Sequence, residues 1–498
     1  MRYTSTRNNS IRVTAAQAIA GGISPEGGLY VPMEFPQLTA EDIQNLVPLS
    51  YRERATRVLS RYLGDFTEEE VAACCTAAYG ERFDSAAVAP VVKLDEGCHV
   101  LELWHGPTCA FKDMALQILP HLMRVSVEKT APGQQIVILV ATSGDTGKAA
   151  LEGFRDAPNT RILVFYPVDG VSEMQRLQMI TQEGDNVGVC AIRGNFDDAQ
   201  TGVKALFTDS DVIAALERNG MRFSSANSIN WGRLVPQIVY YISAYCDLVA
   251  AGTVAVGDAI NVVVPTGNFG NILAAYYAKQ MGLPIAKLVC ASNRNRVLTD
   301  FFESGVYDCN RPFFTTTSPS MDILVSSNLE RLLYHLSGEN SEEIAAMMNS
   351  LKTERKYSVS PEMKVQIDAH FVGGSADDAR VAKTIKQVFE EKGYLLDTHT
   401  AVAVAVYEDY RAATGDTTPT VIASTANPYK FTPSILAALG CESEAAPYDQ
   451  MQELCDKAGC SIPEPLASLN VKRVRFTDVC NNDTAGMQET VYRMLELR

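Results

Sequence analysis

The chain has 498 residues, 46% of them hydrophobic and 20% charged, the composition of an ordinary folded protein large enough for two or three domains. Its 59 acidic against 43 basic residues give a formal net charge of −16, which repels nucleic acid and anionic membranes, so an anionic ligand has to be caught by local cations and helix N-termini. Twelve scattered cysteines without a CxxC pair, six histidines without metal-ligand spacing, an N-terminus without a signal-like apolar segment and no apolar run of the ~18 residues a membrane span needs point to a reduced, cytoplasmic chain with no metal centre and no membrane anchor.

Residues 1–90 carry two loop signals, "AGGISPEGGLYVP" and "VPMEFPQ", then helix-like segments rich in Arg, Glu and Ala. They read as a separate, mostly helical N-terminal unit. Residues 91–440 alternate apolar β-rich runs with helix-like runs, and a smaller α/β subdomain is expected over roughly 113–225. Strands are predicted at "QIVILVAT" (135–142), "TRILVFYP" (160–167), "NVGVCAIRG" (186–194), "INVVVPT" (260–266), "AKLVCAS" (286–292) and "TPTVIAST" (418–425). Because the Val/Ile/Leu runs are continuous and not alternating, these strands are expected to be buried on both faces of parallel-rich α/β sheets flanked by helices. Residues 441–498 contain a helical "AAPYDQMQELCDKAG", a basic strand-like "NVKRVRF" and a closing helix, and read as a C-terminal appendage.

Two glycine loops follow predicted strands and open predicted helices. In "VVVPTGNFGNILAAYY" the backbone N–H groups of the loop and of the first helical turn converge on one spot, where the helix dipole adds positive potential. Gly267 and Gly270 permit close backbone approach, and Asn268 and Asn271 add amide donors. The spacing is neither GxGxxG nor GxxxxGK[ST], so the physical reading is a phosphate cradle without a dinucleotide or triphosphate fingerprint; a plain tight turn is the competing reading. "LVATSGDTGKAALEGF" has the same design, with Ser143 and Thr146 as hydroxyl donors or simple helix caps, Gly144 and Gly147 freeing the backbone, and Lys148 as a cation. On a parallel sheet both loops lie at the carboxyl ends of strands, where ligands bind.

A lysine completes the set. In "HGPTCAFKD", Lys112 falls at the start of the helix-like "DMALQILPHLMR", beside Ala110 and Phe111. The positive end of a helix dipole and partial desolvation both make its ammonium easier to deprotonate, as a Schiff-base or proton-shuttling amine requires, while Asp113 either pairs with it or caps the helix. A surface lysine at a helix start is the alternative. Its coincidence with two phosphate-type loops points to pyridoxal phosphate.

"HGPTCAFKD", "ATSGDTGKAA" and "PTGNFGN", together with "YTSTR", "GISPEGGLYVP", "FDDAQTGVK", "NSINWGRLVPQ", "SPSMDILVSSNLER", "DTHTAV" and "STANPYKF", resemble in order the threonine synthases, pyridoxal-phosphate enzymes of the tryptophan-synthase-β-like fold type II. Asn427 and Tyr429 depart from the His and Ala common there, and "SNRNR" (292–296) replaces a segment with an acidic residue. The resemblance implies that Lys112 forms the Schiff base, that Gly267, Asn268, Phe269, Gly270 and Asn271 hold the cofactor phosphate, and that Thr425 faces the pyridine nitrogen. It further implies that Ser143, Gly144, Asp145 and Thr146 belong to the loop receiving the substrate carboxylate, with Asn230, Arg233 and Lys148 as candidates for the substrate phosphate. The implied reaction turns O-phospho-L-homoserine and water into L-threonine and phosphate, in a monomer or homodimer. Rival readings are a serine/threonine dehydratase or cystathionine-forming synthase of the same fold, a silent cofactor-binding protein, and a phosphate-binding module without an aldehyde cofactor.

Overall fold

The computed structural model describes residues 1–142, 144–168, 171–441 and 443–497, without the side chain of Asp197. Two parallel-rich sheets organise the chain. The larger has the strand order Phe371–Ser375, Ile285–Ser292, Ile260–Pro265, Thr420–Ser424, Cys98–Glu102, Val91–Asp95, all parallel except the last, which pairs antiparallel at the edge. The smaller is wholly parallel, in the order Val479–Asn481, Val187–Arg193, Thr160–Pro167, Gln135–Ala141, Met221–Ser224.

The six apolar runs form strands as predicted, and their two faces enter different cores. Ile136, Ile138 and Val140 pack into one cluster while Val137, Leu139 and Ala141 pack into another. Val262 and Val264 likewise face away from Val263. Burial of both faces is what continuous Val/Ile/Leu runs require.

Other strands had no such run to announce them. "FVGGS" forms the edge strand Phe371–Ser375. Its glycines are demanded by packing: a Cβ on Gly373 would meet the Thr299 backbone at 3.0 Å, and one on Gly374 would meet Val406 at 2.5 Å.

The N-terminal unit is helical as expected at Ala15–Gly21, Ala40–Leu46, Tyr51–Tyr62 and Glu68–Ala78, each entered through a capping box. It also holds a small antiparallel sheet of Tyr3–Ser5, Asn8–Val13 and Tyr30–Pro32 that the helical reading missed. This sheet is fastened to the region that follows. Arg7 pairs with Glu330 at 2.7 Å, and the fully buried Arg331 donates to the Tyr30 and Ile229 carbonyls and to Asn328.

Near the C-terminus, "NVKRVRF" is not a strand. Its backbone leaves a short 3-10 turn and then donates from Arg475 and Phe476 to the single carbonyl of Ile180, which no sheet ladder does. The strand of this region is Val479–Asn481, and the closing helix is Thr484–Leu495. Among the described residues no helix is long and apolar enough to cross a membrane.

Candidate active site

Ile260–Pro265 and Thr420–Ser424 are parallel neighbours in the larger sheet, so the chains leaving their carboxyl ends start side by side, at the edge where ligands of such sheets bind. From the first comes the glycine loop, which turns into the helix Gly270–Gln280. Phe269 sits in the left-handed region with φ 63°, an arrangement that costs a side-chain-bearing residue about 1–3 kcal/mol and persists where the surroundings enforce it. A Cβ on Gly267 would lie 2.5 Å from the Ser320 carbonyl, so glycine is what lets segment 318–326 close over the loop. Ser326 Oγ donates to the Gly267 carbonyl at 2.6 Å, and Asn328 donates to the Asn268 carbonyl from both backbone and side chain.

The space in front of Gly270 is lined by donors: a Cβ there would stand 3.5 Å from Asn328 Nδ2 and 3.8 Å from Gln237 Nε2. Asn271 adds another. Its Oδ1 accepts from the Tyr240 hydroxyl at 2.7 Å and from that of Tyr241, while its buried Nδ2 has no partner. A buried donor without an acceptor costs about 1–3 kcal/mol, which an anion at this position removes. A helix N-terminus, a left-handed loop and an orphaned amide together fit a phosphate monoester such as that of pyridoxal phosphate.

Lys112 reaches the same place from another segment. An isolated antiparallel bridge joins Ala110 to Ala426, the Phe111 N–H donates to the Thr425 carbonyl at 2.8 Å, and the Asn427 N–H donates to the Cys109 carbonyl at 3.0 Å. These bonds lay the lysine turn along the chain that follows Thr420–Ser424 and bring Lys112 beside the buried Thr425. The ammonium is 13% exposed, donates to Ser320 Oγ at 3.5 Å and lies 3.9 Å from Asp145 Oδ2. Since the Ser320 carbonyl abuts Gly267, one residue links the amine to the glycine loop. Burial pulls the Lys112 pKa from 10.5 down to about 8; Asp145 opposes this, and Lys430 and Arg233 reinforce it. Asp113 does not pair with Lys112. Its carboxylate accepts from the Thr108 N–H and hydroxyl, both at 2.8 Å, and so ties down the turn.

The second glycine loop opens the helix Asp145–Phe154, and Ser143 lies outside the described residues. The cap is the Thr142 hydroxyl, which accepts from the N–H groups of Gly144 and Gly147 at 3.0 and 2.9 Å. This corrects two expectations: Thr146 does not cap the helix, and the Gly144 N–H is engaged internally. Gly144 instead provides a backbone with φ 135° and room for Gln175 against it.

Asp145 is buried and bears a full negative charge. Burial favours its neutral form, but Lys430 at 2.7 Å, Lys112, and a 2.9 Å hydrogen bond from Gln175 hold its pKa well below the usual carboxylate range. A carboxylate so placed repels a substrate carboxylate, so its part in the loop is as partner to the lysines and not as a donor.

Three residues were expected at the substrate phosphate. Lys148 is buried and donates to Glu152 on its own helix at 3.1 Å and to Gln182, beyond the helix Glu173–Ile180, at 2.5 Å. Asn230 is the N-cap of the helix Trp231–Ala250: its Oδ1 accepts from Gly232 N–H, and its Nδ2 donates to the Ile19 and Ser225 carbonyls. Both are corrected to structural positions. Arg233 differs. It is 3% exposed, donates from Nη1 to the Ala226 carbonyl, and keeps a buried Nε without a partner. No carboxylate pairs with it among the described residues, and burial lowers its pKa to about 10.

Sequence reasoning missed Lys430, Gln175, Ser320, Gln237, Tyr240 and Tyr241. A signal existed for three of them. In the apolar helix Trp231–Ala250, Arg233, Gln237, Tyr240 and Tyr241 recur at i, i+4, i+7 and i+8, placing their polar atoms on one face.

Known proteins similar to this chain identify its family. Residues 2–79 match the family model for the threonine synthase N terminus, residues 86–425 that for pyridoxal-phosphate dependent enzymes, and residues 400–491 that for the threonine synthase C-terminal region. The chain is 41% identical over 434 residues to threonine synthase-like 1 of Homo sapiens, covering 85% of this chain but only 58% of that longer protein. It is 40% identical over 496 residues to threonine synthase of Pseudomonas aeruginosa, covering 99% and 98% of the two chains. It superposes on the crystal structure of PLP-bound threonine synthase from Brucella melitensis with a TM-score of 0.88, at 38% identity and 99% coverage of both chains.

Proposed function

The chain belongs to the threonine synthase family of pyridoxal-phosphate-dependent enzymes, and from that premise we propose that it converts O-phospho-L-homoserine and water into L-threonine and phosphate. The observation that carries this reading is a buried arginine without a counter-charge beside a lysine that meets its nearest carboxylate only at 3.9 Å. Lys112 stands within reach of the glycine loop, and Arg233 is buried without a counter-charge. A dehydratase acting on serine or threonine has no substrate phosphate for such an arginine to meet.

When bound, the cofactor supplies an electron sink that makes the substrate's carbon-bound hydrogens acidic. The chain's residues take the remaining parts. Gly267, Asn268, Phe269, Gly270 and Asn271 hold the cofactor phosphate through loop N–H groups and the Asn271 amide. Thr425 would face the ring nitrogen as a neutral hydroxyl, a weaker proton donor than a carboxylic acid, so it would withdraw less charge from the ring. Lys112 would hold the cofactor through its aldehyde and is the amine placed to take the Cα proton; burial, which brings its pKa down to about 8, favours the neutral form a base needs. The first-turn N–H groups of Asp145 and Thr146, at the start of the helix Asp145–Phe154, receive the substrate carboxylate. Arg233 takes the substrate phosphate through its planar fork of donors and retains it as it departs.

We place the enzyme in a reducing cytoplasm, as a monomer or homodimer. Eight of its twelve cysteines are buried as free thiols and pack as small apolar residues. The test is to offer O-phosphohomoserine, serine and threonine separately to the yellow holoenzyme and to Lys112→Ala. Phosphate release with threonine formed from the first substrate alone, lost in the variant together with the near-visible absorbance, is the expected result. Deamination of serine or threonine without phosphate release from O-phosphohomoserine would overturn the reading.

A further inference from the structure

Lys430 has no part in the roles above, yet its position is unusual for a lysine. Its side chain is 0% exposed. It lies in the turn Pro428–Phe431, directly after the bridge that aligns the Lys112 segment. Its Nζ donates to the Thr108 carbonyl at 3.0 Å and meets Asp145 Oδ1 at 2.7 Å. One ammonium thus joins the lysine turn, the Asp145 loop and the segment containing Thr425.

The geometry around Asp145 is lopsided. Oδ1 receives both Lys430 and the Gln175 amide, whereas Oδ2 faces Lys112 at 3.9 Å, beyond hydrogen-bonding distance. We propose that Lys430 is a positioning residue for Lys112: it binds the Asp145 carboxylate to itself and so denies the Lys112 amine a full counter-charge.

The other groups around Lys112 do not substitute for this. Arg233, from the helix Trp231–Ala250, adds a like charge. Ser320 contributes a neutral hydroxyl, backed by His399 Nε2, which accepts from the Ser320 N–H at 3.2 Å. Asp113 is turned away onto Thr108. Asp145 is therefore the carboxylate that decides how readily Lys112 keeps its proton, and Lys430 decides how far Asp145 is free to act.

The residues shaping the turn fit the assignment. Asn427 Oδ1 accepts from the Tyr429 N–H at 3.1 Å, the Asn427 carbonyl accepts from the Lys430 N–H at 3.1 Å, and the Tyr429 hydroxyl is anchored on the Cys460 carbonyl.

The inference rests on Lys112 being the cofactor lysine, but its test does not. Cyanate labelling of Lys112 in the cofactor-free protein, followed by peptide mass mapping across a pH series, reads how easily that amine loses its proton. An opposite charge released within ~4–6 Å raises a lysine by about one pH unit or more. Lys430→Met should therefore move the labelling midpoint up by at least about one unit, and Lys430→Arg should leave it within about half a unit of wild type. Asp145→Asn, an isosteric change, should move it down.

In the holoenzyme, the pH dependence of the near-visible absorbance should follow the same order. An unchanged labelling midpoint in folded Lys430→Met overturns the proposal. If that variant does not fold, an unchanged midpoint in Asp145→Asn does so instead. Failure of wild-type Lys112 to take up pyridoxal phosphate at all would count against the enzyme reading and leave the labelling result standing on its own.

Discussion

Replacing Arg233 by methionine separates what this residue does for the fold from what it does for the substrate. The side chain is 3% exposed, its Nε has no acceptor, and burial moves its pKa from 12.5 to about 10. At about 1.4 kcal/mol per pH unit, the charged form is disfavoured in the folded protein by about 3 kcal/mol. The sign is settled by the direction of the shift. A base whose folded pKa is depressed weighs against the fold at every pH below its folded value, so the whole penalty is present at pH 7. Methionine keeps much of the aliphatic stem and removes the charge.

Without phosphate, the holoenzyme of Arg233→Met should therefore be more stable than wild type by roughly 1–3 kcal/mol, one to several degrees in a scan-rate-matched melt. Inorganic phosphate should reverse the order. With cofactor filling the glycine loop, added phosphate reports on the Arg233 position, and at ~100 times its dissociation constant it stabilises wild type by about 2.7 kcal/mol and the variant hardly at all. The kcat/KM for O-phosphohomoserine should fall about 100-fold or more, the consequence of losing a charge-assisted bidentate contact. A variant that melts below wild type without phosphate and gains as much from phosphate as wild type does would refute the assignment.

Thr425→Asp should lower turnover at least about tenfold and alter the pH dependence of the near-visible band, because a carboxylate beside the ring nitrogen holds a proton there that a hydroxyl does not; unchanged kinetics and spectrum would argue against the ring-nitrogen position. His105 donates from Nδ1 to Asp84 at 2.5 Å and from Nε2 to Glu102 at 2.8 Å, and although burial works against its charge, these carboxylates raise its pKa. Its contribution is therefore fully present below pH ~6.5 and is lost as pH rises through the raised folded value. Denaturant unfolding of His105→Gln should show a deficit of about 1 kcal/mol at pH 6 that shrinks toward zero at pH 9.

What was legible in the sequence follows from which physical signals are local. Strands buried on both faces need unbroken apolar runs, so Ile260–Pro265 and Gln135–Ala141 stood out. Phe371–Ser375 did not, because its glycines answer to Thr299 and Val406, which lie elsewhere in the chain. Lys112 was conspicuous from its neighbours and from two glycine loops. Lys430 was not, since nothing beside it in the sequence reveals the bridge between Ala110 and Ala426 that brings it to Asp145. Lys148 shows the opposite error. It was read with the glycines before it, although Glu152, four residues on, is the partner that helix geometry offers.

The charge pattern of the crevice explains how a chain with a net charge of −16 admits an anionic substrate. Lys148 is neutralised by Glu152 and Lys430 by Asp145, both pairs buried. Lys112 shares Asp145 only at 3.9 Å, and Arg233 shares nothing. The uncompensated positive charge therefore lies where the cofactor aldehyde and the substrate phosphate are proposed to sit. Buried charges are screened little by salt, whereas a field of surface charges collapses beyond the ~8 Å Debye length of physiological solution. KM for O-phosphohomoserine should accordingly change less than about threefold between 0.05 and 0.5 M potassium chloride. A steep salt dependence would mean that the substrate is gathered by surface lysines and arginines, and the selectivity assigned to Arg233 would then have to be sought among them.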